Sequence, residues 1–223
     1  MTDILIFAGF FAFVGIFITA AIFAERARKR RIEKELTDAG LKVNFSPSKE
    51  DQAAAFAQVG RGWSGLRTGS TGVLWTASGA VGTTPVTLLE HRYTTGSGKN
   101  RSTHYHTIAA VAAPMHWPTV ELAEEHIFHK IGEFFGSKDF KVEDEAFNKR
   151  WRIKTESEDF ALLVLSPQVQ AWTMSLPKGM QIRVGGGAVT IAVSRYLRSE
   201  SAMMITRCVE LSRMLPPELR GWG

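Results

Sequence analysis

The chain has six histidines and a single cysteine, and three of the histidines are spaced as metal ligands could be. His104 and His106 stand two apart in a stretch that alternates like a β-strand, so both rings leave the same face. His91 falls in the neighbouring strand-like stretch, where it can meet them across a sheet. Three imidazoles would suit zinc, yet residues 101–113 contain no Asp or Glu and no fourth ligand is evident. A partly exposed polar sheet face accounts for the same residues. His126-x-x-His129 follows Glu124 and Glu125 near a helix start, without the H-E-x-x-H order that places a general base beside zinc. The sequence thus implies neither a metal nor a cofactor.

Two glycine-rich stretches invite a nucleotide reading, and neither has the required context. Gly60-Arg61-Gly62-Trp63-Ser64-Gly65 matches G-x-G-x-x-G, but it follows a helical stretch instead of a strand and opens no helix. Gly96-Ser97-Gly98-Lys99-Asn100 imitates the end of a phosphate-binding loop. Tyr93 stands where that loop needs glycine, Asn100 stands where it needs Ser or Thr, and the segment runs into a strand. No helix N-terminus is therefore offered to a phosphate. There is no G-x-S-x-G elbow, and Cys208 lies on an apolar helical stripe that disfavours a thiolate. No catalytic residue emerges, and the chain reads as something other than an enzyme.

The element that would position the rest is the first one. Residues 4–24 hold no charged side chain, and Thr19 is their sole polar one. As a helix they span roughly 31 Å, close to the hydrocarbon thickness of a bilayer. A cleaved leader would carry basic residues ahead of the apolar run, and Met1, Thr2 and Asp3 supply none. Arg26, Arg28, Lys29, Arg30, Arg31 and Lys34 follow it, which by the positive-inside rule puts the N-terminus out and the remainder in the cytoplasm. The expectation is a single-pass protein of the inner membrane. Residues 25–35 carry those six cations against three Glu, a net +3 of the chain's +5. The basic excess is therefore suited to anionic lipid headgroups, and no patch is left over for nucleic acid. Ala8, Ala12, Gly15 and Thr19 share one stripe of the helix, where small residues let a second membrane helix approach. An integral-membrane protein is the partner this implies.

Beyond the anchor, residues 25–43 read as a charged helix ended by Gly40 and a short connector, and 44–223 as one domain. Ser48, with Asp51 three residues on, is a helix start. Strand patterns cover residues 73–81, 85–94, 101–113, 120–122 and 151–155, with a hairpin over 181–194 around Gly185-Gly186-Gly187. Helical patterns cover 127–135, 160–165, 169–174 and 201–215, the last with Met204, Cys208, Leu211 and Leu215 on its inner stripe. Strands broken by helices without βαβ alternation indicate an α+β domain with an antiparallel sheet.

Residues 90–108 (EHRYTTGSGKNRSTHYHTI) and 138–196, with Phe147-Asn148-Lys149-Arg150 after an acidic turn, a Ser-Pro helix and the GGG hairpin, are similar to DUF3137-like bacterial membrane-anchored domains of unknown function. The resemblance implies a shared α+β fold and membrane anchorage, and carries no activity or site residue. Together these readings point to a non-catalytic accessory or scaffolding subunit of a larger membrane complex. The alternative is a membrane-tethered domain that senses a ligand or lipid, which calls for an apolar cavity or basic groove near the charged helix.

Overall fold

The computed structural model describes residues 2–60, 63, 72–124, 138–194 and 200–222, with residues 2–12 described for their backbone alone. The chain opens with one unbroken helix, α1 (Thr2–Asp38). Gly40, at φ +83°, ends it with a left-handed backbone that residues with a Cβ rarely adopt. A short strand follows, β1 (Leu41–Asn44), where the sequence suggested only a connector. Next comes α2 (Lys49–Gln58), started by a full capping box. The Ser48 Oγ accepts from the Asp51 N–H at 3.1 Å, and the Asp51 carboxylate accepts from the Ser48 N–H at 2.9 Å.

Three long strands then run up and down: β2 (Val73–Val81), β3 (Thr84–Thr95) and β4 (Ser102–Ala112). After β5 (Val120–Ala123) and β6 (Lys138–Phe140) come α3 (Glu145–Arg150), β7 (Arg152–Thr155), α4 (Glu158–Val164) and α5 (Pro167–Met174). The hairpin of β8 (Met180–Gly185) and β9 (Ala188–Val193) leads to the closing helix α6 (Ser201–Met214). β6 and α3 were not foreseen, because three and six residues are too short for a periodic signal. The helix expected over residues 127–135, and His126 and His129 with it, lies outside the described residues.

Among the described residues nine strands form one antiparallel sheet in the order β1-β2-β3-β4-β9-β8-β5-β7-β6. Its two faces bury different cores. On one, Trp75, Leu88, Ala109, Val111, Ile182 and Ile191 pack with Ile32 and Leu36 of α1, Phe147 of α3, Phe160 of α4, Val169 of α5 and Met204, Cys208 and Leu211 of α6. On the other, a smaller group of Val73, Leu89, Ile108, Ala110 and Ala192 lies beneath Ala55, Val59 and Trp63. Successive strand residues face opposite ways, so β2, β3, β4 and β9 serve both cores.

The α+β architecture is present, but the spanning helix expected over residues 4–24 is not found among the described residues. Among the described residues no helix is long and apolar enough to cross a membrane. Residues 13–24, the apolar part of α1 with described side chains, cover about 18 Å of rise, against a hydrocarbon thickness of about 30 Å. The helix then passes without a break into the charged turns that begin at Glu25. The single-pass, inner-membrane placement inferred from residues 4–24 falls with that span.

Candidate functional site

The charged half of α1 is built into the domain. Arg28, Ile32 and Leu36 recur every four residues and so share one helix face. Ile32 and Leu36 are 0% exposed, and burying each stabilises the fold by about 1.5–3 kcal/mol. Arg28 is buried as well, and its Nη2 donates to Oε2 of Glu90 on β3. The Trp75 Nε1–H donates to the same oxygen at 3.0 Å, and Glu25 holds the other side of the guanidinium at 3.3 Å. Burial pushes the Glu90 carboxyl up to about 7, against the opposing pull of Arg28 and Trp75. Lys29 lies over the Phe45 ring at 5.4 Å, and Phe45 leans on Trp75. Glu35 Oε2 accepts from the Ser201 N–H at 3.3 Å, serving the start of α6, where Glu200 gives no side-chain cap.

This corrects the reading of the basic segment as a uniform membrane-facing surface. Arg26, Arg30, Arg31 and Lys34 are exposed, with Lys34 paired to Asp38 at 2.6 Å, but Arg28 is spent on an internal ion pair. Sequence reasoning missed Glu90 and Trp75. The signal was a lone carboxylate directly after Leu88 and Leu89, since a charge on a buried strand needs a partner.

The apolar half of α1 is the reverse. Phe13, Ile16, Phe17, Ile18, Ile22 and Phe23 are between 48% and 67% exposed and touch no other element of the described fold closely enough to be covered. Of the small-residue stripe, Ala8 and Ala12 belong to the part described for backbone alone. Gly15 and Thr19 are exposed, and nothing lies within 4 Å of where a Gly15 Cβ would stand. Thr19 turns its hydroxyl back onto the Gly15 carbonyl at 2.7 Å, which leaves the helix surface without a polar handle there.

On the opposite sheet face the structure does bring His91, His104 and His106 together. His91 pairs with His106, and Tyr93 with His104, across β3 and β4. Tyr93 occupies the middle of the group, with ring centroids 5.9, 4.9 and 5.2 Å from His91, His104 and His106. Among the described residues no group of three or more His, Cys, Asp or Glu could hold a metal ion. The imidazoles have other work: His104 Nε2 is 2.8 Å from Thr95 Oγ1, His106 lies 3.2 Å from the Tyr93 hydroxyl and 3.3 Å from Ser194 Oγ, and His91 meets the Phe56 ring edge-on. Burial, with His91 and His104 nearby, lowers the His106 pKa to about 4, so the ring is neutral at pH 7.

The other motifs resolve as structure. Gly98–Asn100 is a short 3-10 turn between β3 and β4. Of the 60–65 stretch, Gly60 and Trp63 are described, and the Trp63 Nε1–H donates to Thr190 at 3.2 Å while Arg183 covers its ring at 4.7 Å. Cys208 is fully buried, its thiol pushed up to about 12, which rules out a reactive thiolate at neutral pH. A groove of about 600 Å³ lies between residues 140–144 and α5, lined by Phe140, Val142, Leu165, Ala171 and Met174, with exposed Leu162 at its rim. It sits beside β6, at the opposite edge of the sheet from β1 and α1. It is therefore not the cavity beside the charged helix that the sensing alternative calls for.

No family model matches the chain, and no curated protein is similar to it. A solved structure shares its fold. This is the crystal structure of the mycobacterial trehalose monomycolate transport factor A, TtfA, with a TM-score of 0.58 at 12% identity over 86% of this chain and 98% of that one. At such an identity the likeness establishes the fold alone.

Proposed function

We propose that the chain is a non-catalytic accessory or scaffolding subunit of a larger protein complex, and that residues 13–24 of α1 are the surface it presents to a partner protein. The observation that carries this reading is the contrast along α1. Six large apolar side chains stay exposed on a helix whose next turns are tied to the sheet by Arg28, Ile32 and Leu36. Contiguous exposed apolar surface of this kind marks an interaction site. Because the helix is exposed on every described face, the fitting occupant is an apolar helix or cleft of a partner, approaching along Gly15 and Thr19, where side chains are smallest. His91, His104, His106 and Cys208 are each engaged in packing or hydrogen bonds, which is in keeping with a non-catalytic role.

The test is isolation of the full chain from its own cells under mild conditions, comparing Gly15→Leu and Ile18→Ser with Phe17→Leu. A stoichiometric partner retained by Phe17→Leu and lost from the other two is the expected result. A chain that elutes alone at its own mass, or a partner retained by all three variants, would remove residues 13–24 from the interface.

A second reading, ligand binding away from the charged helix and so distinct from the sensing site expected there, rests on the groove beside β6, whose volume lies in the range of small-molecule sites. It is tested by titrating a fluorescent fatty acid against the wild type and Leu165→Glu. Saturable binding lost in the variant supports it, and equal signals from both discard it.

A further inference from the structure

We propose that the partner of residues 13–24 is a second copy of this chain, whose groove beside β6 receives the exposed face of α1. The inference rests on the reading of those residues as an interaction surface, and it names what covers them. The row that carries it is Ile18, Ile22, Arg26 and Arg30. They recur every four residues, so they stand one above another on a single helix face. All four are exposed. The row seated on the sheet, Arg28, Ile32 and Leu36, is offset from it by two residues, about 200° around the axis. The outward row therefore looks away from its own domain. It begins apolar and ends cationic. Arg31 and Lys34 are exposed beside it, with Glu33 among them, and Lys34 is paired to Asp38.

The groove carries the opposite charge. Its lining is mainly apolar, and among the described residues Glu143 and Asp144 stand in it against one cation, Lys141. Asp144 Oδ1 accepts from the Ala146 and Phe147 N–H groups at the start of α3, a setting that keeps the carboxylate charged. On α4, exposed Glu158 and Asp159 lie four and three residues before Leu162, on the same helix face as this rim residue. Carboxylates thus flank an apolar groove at one edge of the sheet, and a helix that is apolar and then basic projects from the other. Burying Ile18 and Ile22 in the groove supplies affinity, and the opposed charges set the direction in which the helix lies.

The chain does not seat this helix in its own groove. β1, beside α1, and β6 are the two ends of the nine-stranded sheet, eight strand spacings or roughly 38 Å apart. No residue of α1 lines the groove. The occupant is therefore the helix of a neighbour. Such a contact is heterologous: one copy gives its helix and the next gives its groove. Assembly then continues as a row, or closes as a ring where the rotation allows.

The experiment is sedimentation velocity of the purified full chain over about a hundredfold range of concentration, beside two charge-reversal variants. One is Arg26→Glu with Arg30→Glu, and the other is Glu143→Lys with Glu158→Lys. All four positions are exposed, so an unchanged urea midpoint shows that both variants fold. The wild type should gain mass with concentration in steps of one chain, and added salt should weaken the association. Each variant alone should associate at least about tenfold more weakly. Their equimolar mixture should recover wild-type association, because each helix then meets a groove of opposite sign. Leu162→Lys, at a rim residue 59% exposed, should also associate more weakly, and it serves if a double variant does not fold. A wild type that stays at the mass of one chain overturns the inference, as does assembly that ignores charge reversal or a mixture that fails to recover. A chain that is monomeric when pure and yet retains a different protein through residues 13–24 sinks the second copy and leaves the partner reading standing. Undiminished assembly of Ile18→Ser removes that reading and the inference together.

Discussion

The two halves of α1 invert what their compositions suggest. Residues 13–24 are apolar and lie in the open, while residues 25–36 are dense in charge and supply Arg28, Ile32 and Leu36 to the interior. One continuous helix thus has a half that stabilises the domain and a half that contributes little to it. The difference teaches that hydropathy ranks how much a segment gains from leaving water, whereas burial depends on whether a complementary surface lies within its reach. From residue 28 onward α1 lies along β1 and α6, and every fourth residue meets them. Toward its N-terminus the helix runs beyond the sheet.

The largest effect that would break this comparison is expected at Leu36. Leu36→Ala leaves a cavity in the main core and should cost about 2–5 kcal/mol in urea unfolding. A loss below about 0.5 kcal/mol would mean the charged half is only a tether. The opposite sheet face supplies a charge-free control. His106 titrates at about 4 in the fold against 6.5 when unfolded. Its contribution, on the order of 3 kcal/mol, is fully present above pH 6.5 and is lost as pH falls toward 4. His106→Gln should flatten that acid limb, and an unaltered acid limb in this variant would show that another group carries it. Smaller still is Ile18→Ser, at a position 56% exposed, which should shift unfolding by less than about 0.5 kcal/mol. A larger loss would show that the apolar half is covered in solution. The smallest effect belongs to Gly15→Leu. A Cβ added there meets nothing within 4 Å, and the better helix propensity of Leu acts on turns outside the core, so the urea midpoint should not fall and any loss is confined to partner binding.

Much of the domain was legible because its signals are local. Ser48 and Asp51 make a capping box wherever the chain goes, and the alternation in β2, β3, β4, β8 and β9 fixes strands that pair with their neighbours in sequence. Of the stripe read as Met204, Cys208, Leu211 and Leu215, the first three are buried, while Leu215 ends the helix and is half-buried. The meeting of His91 with His106 was also legible, since it needs only two adjacent strands in register. That Tyr93 stands between the imidazoles follows from the same register and went unread, because attention was on the ligand types alone.

What the sequence by itself determined is therefore most of the longer elements, though not β1, β6 or α3, the antiparallel pairing of neighbouring strands, and the neutral setting of Cys208. Each follows from periodicity over a few residues, through the geometry of a helix turn or a strand pleat. Only the tertiary structure decided that β4 pairs with β9, that β5 lies between β8 and β7, and that Arg28 reaches Glu90 across 62 residues of chain. It also decided that the apolar run of residues 4–24 does not stand as a spanning helix among the described residues. These depend on which surfaces arrive opposite one another once the sheet has closed. A local pattern states what a residue can give up to water, and not what it will find when it leaves.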